Sequence, residues 1–530
     1  MKRNTIYTIA LCGLMLASGM TLASCTGEYD KWNHDPNAAT DDDMSQDNLY
    51  TGGRFGQMQR GVFVVGDNLS GEYQISEMLQ GDLFASYFAP ITSWGYTARH
   101  NDHYQLYPNW YNAAFNDAYS NIMLPWKQIC DNTEESSPAR AMATVVKVLA
   151  MQRITDMYGP LPYLQFGKSA SVPYDSEEAI YDSFFTEIAD AIDVLTSYAQ
   201  TNSTYMADYD NVYQGKVEKW VKLANTLRLR MAMRISNVNE TKAREQIQAV
   251  LSNGIGLMQD SGDDAYIKHS ATLSYNNPIW EVTEAWDDEH MSATMDCYLN
   301  GLQDPRVAAY FQECQDGGGY HGARNGMPNP TKSNYQTKTS RANFGQDSDM
   351  PWMKASEAYF LMAEAKLRFG LGSESAQSYY EQGIRASFAS WGVSGADTYI
   401  NDDTNLPATS FTAPGSYRAV DVSSMLTNVT VKWSDDATED LKRIALQKWI
   451  SLYPDGQEAW SEMRRTGLPG IVTIESNDSQ GEVPNGELIS RIKFPTTEYS
   501  NNNASTVAAV KLLKGGQDTA GARLWWDVKR

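Results

Sequence analysis

Apolar residues recur every three or four positions along most of the chain beyond residue 107, a spacing that predicts amphipathic helices. One such stripe comprises Met142, Val145, Val146 and Leu149. We expect its helix to stop at Gly159-Pro160, because glycine readily ends a helix and proline does not continue one.

Two further stripes predict the next helices. The first comprises Ile180, Phe184, Ile188, Ile192 and Leu195, and the second comprises Trp220, Leu223, Ala224, Leu227 and Met231. Asp175 stands three residues before Glu178, as in a capping box, so we expect the first of these helices to begin there. Trp220, Trp449 and Trp460 lie on helical stripes and are predicted to be core residues.

Segments 354–391 and 437–466 each predict a helix, a short turn and a second helix, and the first loosely follows the tetratricopeptide pattern. We therefore predict a mostly α-helical fold with about four tetratricopeptide-like hairpins, near 107–158, 176–253, 354–391 and 437–466. Residues 254–350 are rich in Gly, Asn, Ser and Thr and predict a long loop-rich insert. Residues 46–530 are expected to form a single domain.

The N-terminus has the parts of an export signal: Lys2 and Arg3, an apolar stretch over 5–24, and small residues before Cys25. Leu22-Ala23-Ser24-Cys25 resembles a bacterial lipobox, in which the cysteine sulfur receives a diacylglycerol. We predict a lipoprotein signal peptide at 1–24, lipidation of Cys25 and a polar tether at 25–45. The alternative is a plain secretory signal in which the cysteine is coincidental.

The formal charge of the chain is −22, and removal of residues 1–24, which carry Lys2 and Arg3 and no acid, changes it to −24. So acidic a protein repels polyanions, which argues against nucleic acid as a partner. Cys130, Cys297 and Cys314 would remain after processing. This odd number, without CxxC spacing, predicts neither a disulfide framework nor a zinc site.

Eight segments along the chain form a recognisable series: "WNHDPNAAT" (32–40), "QRITDMYGPLPYLQF" (152–166), "KWVKLANTLRLRMAMRIS" (219–236), "LQDPRVAAYF" (302–311), "SEAYFLMAEAKLRFG" (356–370), "LQKWISLYPDGQEAWSEMRRTGLPGI" (446–471), "RIKFPTTEYSNN" (491–502) and "LWWDVK" (524–529). Each segment and their shared order resemble the SusD/RagB proteins, and the resemblance covers nearly the whole mature length of the chain.

This resemblance implies a SusD-like fold in a lipid-anchored outer-membrane protein that is not an enzyme. It implies nutrient uptake, with a glycan captured at the cell surface and delivered to a SusC-like TonB-dependent transporter. Glu28 and Asp30 resemble the acidic signal that directs such lipoproteins to the outer face, although two adjacent acids directly after the cysteine are absent.

A sugar-binding surface needs flat aromatic rings beside planar hydrogen-bonding groups. Two aromatic-rich regions meet this need, the stretch 87–104 and the insert. The ligand-binding candidates are Tyr87, Phe88, Trp94, Tyr96, Arg99, Asn101, Trp280, Trp286 and Tyr320. Arg324 and Asn325 are candidate polar neighbours in the insert. Arg464-Arg465 is predicted to be a buried ion-pair node.

Two other functions remain open. A glycoside hydrolase would need only two suitably placed carboxylates, which leave no short signature. However, the chain lacks GxSxG, HExxH, P-loop and GxGxxG motifs, and its six histidines form no cluster in the sequence. A protein-binding helical-repeat scaffold or a peptide-binding member of the same family is the second alternative. No DxDxDG loop is present, and we predict neither a metal nor a cofactor.

Overall fold

Long helices fill the predicted helical regions of this computed structural model, which describes residues 49–93, 100–169, 171–270, 273–416 and 418–528. Eight of these helices follow one another in four pairs. The first two pairs are α1 (Pro138–Tyr158) with α2 (Glu177–Ala199), and α3 (Val217–Ile235) with α4 (Glu240–Ser252). The other two are α5 (Ala355–Phe369) with α6 (Ala376–Ser390), and α7 (Ala437–Leu452) with α8 (Gly456–Thr466).

Other elements surround the pairs. The other described α-helices are Leu49–Gly61, Ser70–Tyr73, Pro108–Tyr111, Ala113–Ala118, Leu124–Asp131, Pro278–Trp280, Ala293–Gly301, Val307–Tyr310, Lys332–Tyr335, Ala396–Ile400, Thr496–Asn501 and Asn503–Val510. Turns of π-helix span Gln74–Asp82, Tyr119–Met123 and Glu281–Ala285, and 3₁₀ turns span Asn101–His103 and Ala207–Tyr209. The mostly α-helical fold class is confirmed, whereas the tetratricopeptide-like character of the pairs stays a prediction.

The described strands are short and form three two-stranded antiparallel sheets. They are β1 (Phe88–Pro90) with β3 (Glu289–Met291), β2 (Ala265–Ile267) with β4 (Met350–Met353), and β5 (Ser410–Thr412) with β6 (Ala419–Asp421). The first sheet joins the stretch after residue 87 to the loop-rich insert. It therefore links the two regions in which the sequence placed ligand-binding candidates.

Local signals set the ends of α1 and α2. Helix α1 ends at Tyr158, and Gly159 follows with a φ of 85°, as predicted. Helix α2 begins one residue later than predicted, because Ser176 is its N-cap and accepts a hydrogen bond from the Ala179 amide. Asp175 instead accepts hydrogen bonds from the amides of Tyr163 and Leu164, so it fixes the preceding loop. Helix α1 packs on α2, a pairing that crosses the boundary between the predicted 107–158 and 176–253 hairpins.

Buried charges connect the helix pairs. We use the name buried charge network for Asp156, Arg230, Arg234, Glu357, Glu364, Glu458, Glu462 and Arg465, all of which are buried. Arg234 of α3 forms ion pairs with one carboxylate of α1 and two of α8. Arg465 of α8 pairs with Glu364 of α5, which confirms the predicted ion-pair node for this residue. Arg464 donates to the carbonyl oxygens of Asp156 and Ser490.

The start of α8 lies unusually close to the π-helical turn Gln74–Asp82. A Cβ atom placed on Gly456 would lie 2.3 Å from the Asp82 Cα, and one placed on Gly81 would lie 2.6 Å from the Gln457 Cα. Only glycine fits at both positions, so the sequence permits this backbone contact.

The tryptophans that were predicted to be core residues are buried. Trp220, Trp449 and Trp460 have at most 2% of their surface exposed, and they pack within the main hydrophobic cluster. A search of the described helices for one that is both long and apolar enough to cross a membrane finds none.

Candidate functional site

The first sheet brings the two candidate regions into one layer. Phe88 is opposite Met291 in this sheet, and the Phe88 carbonyl also accepts a hydrogen bond of 3.1 Å from the Asn325 side chain. The Ala323 amide donates to the Met291 carbonyl at 2.8 Å, which adds the segment around Arg324 to the same layer. Residues that are about 200 positions apart in the sequence are therefore neighbours here.

Tyr87 and Phe88 lie inside the core and not on a ligand surface. Both have 0% of their surface exposed. The Tyr87 hydroxyl donates to the Trp449 carbonyl, and the Phe88 ring packs 5.8 Å from that of Tyr453. A surface ligand has no access to either ring, so the prediction is wrong for these two residues. The sequence pattern does not predict this burial, because the stretch has no clear helical or strand period.

Asn101 is also buried, with 1% of its surface exposed. Its side chain donates to the Leu79 carbonyl at 2.7 Å and accepts from the Tyr107 amide at 3.2 Å. These contacts fix the turn in which it lies, and we leave it out of the candidate site. Trp94, Tyr96 and Arg99 lie outside the described residues, as does Cys25.

Trp280 and Trp286 are half-buried at the edge of the insert. The Asn277 side chain caps the turn that holds Trp280. The Trp286 ring lies against the short helix Ser70–Tyr73, since a Cβ placed on Gly71 would be 3.9 Å from its Cη2. Lys332 donates to the Trp286 carbonyl at 2.7 Å, which holds this residue in place.

Tyr320 is half-buried and occupies a separate place in the insert. Its carbonyl accepts a hydrogen bond of 2.7 Å from the Asn300 side chain. Burial, and to a lesser extent the Glu313 carboxylate, raises the pKa of its hydroxyl. Tyr320, Trp280 and Trp286 each pack as partly buried rings against the main hydrophobic cluster, and among the described residues no ring–ring pair joins Tyr320 to either tryptophan.

Individual contacts link Trp286 to the helix Lys332–Tyr335 and that helix to the segment that follows α8, since Lys332 donates to the Trp286 carbonyl and the Glu475 carboxylate lies near both Tyr335 and Arg324. We call these residues the insert face and define it by Trp286, Arg324, Lys332, Tyr335 and Glu475. Arg324 donates to the Thr473 carbonyl at 2.9 Å, and the Glu475 amide donates to the Asn325 carbonyl at 2.8 Å. These bonds join the segment that contains Arg324 to the segment that contains Glu475.

Tyr335 is the aromatic residue of the insert face that the sequence analysis missed. Its half-buried ring packs on the small cluster of Ala89, Ile91, Ala323 and Met327. Burial raises the pKa of its hydroxyl, and the nearby Glu475 carboxylate raises it further. It is one of 31 tyrosines, and only the fold places it beside Arg324 and Glu475.

Two open pockets have sizes suited to small ligands. One, of about 320 Å³, lies between the loops around Tyr104, Met425, Ile474 and Leu488. The other, of about 350 Å³, lies between Tyr119, Phe166 and Asn502. Neither pocket contains a residue that the sequence analysis nominated for ligand binding.

One group of side chains in the described part of the chain has a spacing that suits a metal ion. Single ligand atoms of His100, Asp102 and His103 lie within 4.8 Å of one another. The sequence analysis found no histidine cluster, but the 3₁₀ turn Asn101–His103 brings the two imidazole rings to a centroid distance of 4.9 Å. Burial raises the pKa of Asp102, although the neighbouring histidines partly offset this.

Comparisons with known proteins identify a family and several solved structures that this chain resembles. A family model described as SusD-like, Susd and RagB outer membrane lipoprotein, matches residues 31–527. A comparison with curated proteins finds no match.

Several solved structures resemble the chain over almost its whole length. A chitin-binding SusD homologue from Flavobacterium johnsoniae has 34% sequence identity and a TM-score of 0.85, with 91% of this chain and 99% of that chain covered. A SusD homologue from Bacteroides uniformis has 33% identity and a TM-score of 0.83, with 91% and 100% covered. A SusD-like protein from Bacteroides thetaiotaomicron has 30% identity and a TM-score of 0.83, with 91% and 99% covered.

Proposed function

Because this chain belongs to the SusD-like family of outer membrane lipoproteins, we propose that it captures glycans at the cell surface. In this proposal it delivers oligosaccharides to a SusC-like TonB-dependent transporter and is held on the outer face of the membrane by the lipid on Cys25. The observation that carries the proposal is the 34% identity, over 91% of the chain, with a SusD homologue that binds chitin. Oligosaccharides of chitin are therefore the first ligands to test.

The chemistry of the insert face supports this proposal. The half-buried rings of Trp286 and Tyr335 offer apolar surfaces for the C–H face of a sugar. Arg324, Lys332 and Glu475 supply donors and acceptors for its hydroxyl groups. Trp94, Tyr96 and Arg99 stay proposed ligand residues. The short strand β1, whose Ala89 lies under the Tyr335 ring, leads toward them along the chain.

We propose a binding protein rather than a glycoside hydrolase. Hydrolysis requires an acid whose pKa is raised and which also reaches the glycosidic oxygen. The pKa values of Asp82 and Glu289 are raised well above the ordinary range, with burial the largest cause in both. Both are buried, with at most 2% of their surface exposed, so a surface glycan does not reach either carboxyl group.

The test is calorimetric titration of the full chain in detergent with oligosaccharides of chitin, starch and mannan and with peptides. We expect binding of one glycan class, and we expect Trp286→Ala to weaken it at least tenfold. The matched control is Trp433→Ala, since Trp433 is a half-buried tryptophan that packs on Tyr380 of α6. The double variant Trp94→Ala, Tyr96→Ala tests the N-terminal stretch separately.

Each outcome separates the alternatives. Binding that Trp286→Ala abolishes and Trp433→Ala leaves intact supports the insert face as the glycan site. Release of a shortened product would favour the hydrolase. If no sugar or peptide binds, the protein-binding scaffold is favoured, and co-purification with a co-expressed SusC-like transporter becomes the decisive measurement.

Lipidation has its own experiment. Cells that express the full chain would be grown with a labelled fatty acid, and we expect the label on the wild-type protein and none on Cys25→Ala. Cys130→Ala is the matched control, because Cys130 is a free cysteine in the body of the protein. A wild-type protein without label would support the plain secretory signal instead, and a label that persists on Cys25→Ala would place the lipid on another residue.

A further inference from the structure

The turn that carries His100, Asp102 and His103 is held in place by three other parts of the chain. Asn101 within the turn donates to the Leu79 carbonyl, as described above. The Gly326 amide donates to Asp102 Oδ2 at 3.2 Å, and the Asp478 amide donates to the His103 carbonyl at 2.8 Å. Asp102 and His103 each have only 5% of their surface exposed. The Asp102 and His103 side chains are thus fixed before any ligand arrives, and the His100 ring packs 4.9 Å from that of His103.

The His103 ring meets an acceptor on each side. Its Nδ1 lies 2.8 Å from Oδ2 of Asp478, and its Nε2 lies 3.1 Å from the Met327 carbonyl and 3.5 Å from Oδ2 of Asp102. A neutral imidazole carries a single N–H and satisfies one side only. A cation between Nε2 and these oxygens would match the acceptors on the second side.

We propose that this turn is a binding site for one divalent transition-metal ion of the zinc class, with His100, Asp102 and His103 as its ligands. Zinc–ligand bonds of 2.0–2.2 Å place neighbouring ligand atoms of a tetrahedron about 3.3 Å apart. The distances from His103 Nε2 to the Asp102 carboxylate and to the Met327 carbonyl, given above, lie on either side of this value. The set of two imidazoles and one carboxylate leaves a fourth position for that carbonyl or for water.

Asp478 supplies the outer contact that such a site needs. Metal-binding histidines usually donate their other N–H to a carboxylate, which fixes the tautomer and orients the ring. Asp478 Oδ2 stands at this position relative to Nδ1 of His103, and its side chain is half exposed. It is therefore a positioning residue and not a ligand. The site departs from the sequence-based prediction of no metal, because the convergence depends on the turn and on residues 327 and 478.

The experiment measures Zn²⁺ and Co²⁺ binding to the full chain under reducing conditions in detergent. We expect one Zn²⁺ per chain with a Kd of micromolar or lower, by competition with a chromogenic chelator. Bound Co²⁺ is expected to give the strong visible absorption of tetrahedral coordination. His100→Gln should weaken binding at least tenfold while leaving the Asp102 and Asp478 contacts in place, and Asp478→Asn should weaken it 10–100-fold.

The matched control is His321→Gln, because His321 is a half-exposed histidine that faces Asp296 elsewhere on the insert. Circular dichroism melting of every variant separates loss of metal from loss of folding. The proposal is supported if only the His100 and Asp478 variants lose affinity. It is overturned if wild type binds no stoichiometric Zn²⁺, or if His100→Gln binds it as tightly as wild type.

Discussion

Two regions of the molecule, the interior between the helix pairs and the surface called the insert face, contain the same residue types: arginine, glutamate and tryptophan. The two regions differ in how deeply these residues are buried. In the interior, Arg234 and Trp460 are completely buried. On the insert face, Arg324 and Trp286 are half-buried. Burial makes each interior charge depend on its partners, because an unpaired charge away from water is costly. The half-exposed groups keep their access to water and to ligands.

The two regions also differ in the kind of contact that holds them in place. Side-chain ion pairs connect α1, α3, α5 and α8 directly. The insert face depends more on backbone contacts, such as the bonds between residues 325–326 and 475–476. A mutation in the first region should therefore act on stability, whereas one in the second should act mainly on binding.

The largest effect is expected for Arg234→Met. The substitution leaves Asp156, Glu458 and Glu462 with one cation fewer in a region that water does not reach. We expect a loss of about 5 kcal/mol, the upper end for breaking a buried ion pair, by urea denaturation. The matched control is Arg385→Met, whose ion pairs with Glu381 and Asp397 are exposed and should contribute less than about 1 kcal/mol. Equal losses would show that burial does not make Arg234 more dependent on its partners than an exposed arginine.

The next largest loss of stability is expected for two tryptophan substitutions, one in the core and one on the insert face. Trp449→Ala opens a cavity in the core and should cost about 3–5 kcal/mol. Trp286→Ala removes a half-buried ring and should cost about half as much, since less of its surface leaves water on folding. Thermal and urea unfolding of both variants checks this. If Trp286→Ala costs as much as Trp449→Ala, Trp286 is a core residue and the insert face loses its main ring.

The sequence predicts the interior far better than the insert face. Stripes such as Ile180, Phe184 and Ile188 report burial directly, because a helix of known period has only one way to face a core. Helix α2 begins one residue later than predicted. Ser176 and Asp175 are both good caps, and only the loop contacts decide between them.

The candidate site was less accessible to sequence reasoning. Tyr87 and Phe88 look like ligand rings by composition, but β1 runs through the core and buries both. Tyr335 and Glu475 lie 140 positions apart, and no local pattern connects them. Their proximity comes from the pairing of residues 325–326 with 475–476, a long-range contact that depends on the whole fold.

A third prediction concerns Glu177, a buried acid at the start of α2 for which the described residues supply no ion-pair partner of the kind found in the buried charge network. Burial raises its pKa to about 8, although the Trp525 amide donates to it. The folded state therefore favours the protonated acid. Its contribution to stability is complete below pH 4.5, the ordinary pKa, and is lost as the pH rises through 8.

Glu177→Gln, which is neutral at every pH, should therefore be more stable than wild type at pH 9, by about 3–5 kcal/mol, and similar to it at pH 4. Urea denaturation of both proteins between pH 4 and pH 9 measures the difference. Glu178→Gln is the matched control, because Glu178 is exposed at the next position of the same helix turn. A difference that does not change with pH would show that Glu177 is as well compensated as the paired acids.

The smallest effect on stability is expected for Lys332→Met on the insert face. Its ammonium pairs with Asp288 at 2.6 Å, but 38% of the side chain is exposed, so the pair should contribute less than about 1 kcal/mol. The same ammonium donates to the Trp286 carbonyl, and its loss frees the backbone that carries the ring. We therefore expect glycan affinity, measured by calorimetry, to fall severalfold while the urea midpoint changes little. This variant separates the two regions most sharply, because a residue of the interior should not lose binding without losing stability. If Lys332→Met lowers the free energy of unfolding as much as Arg234→Met does, the insert face belongs to the core.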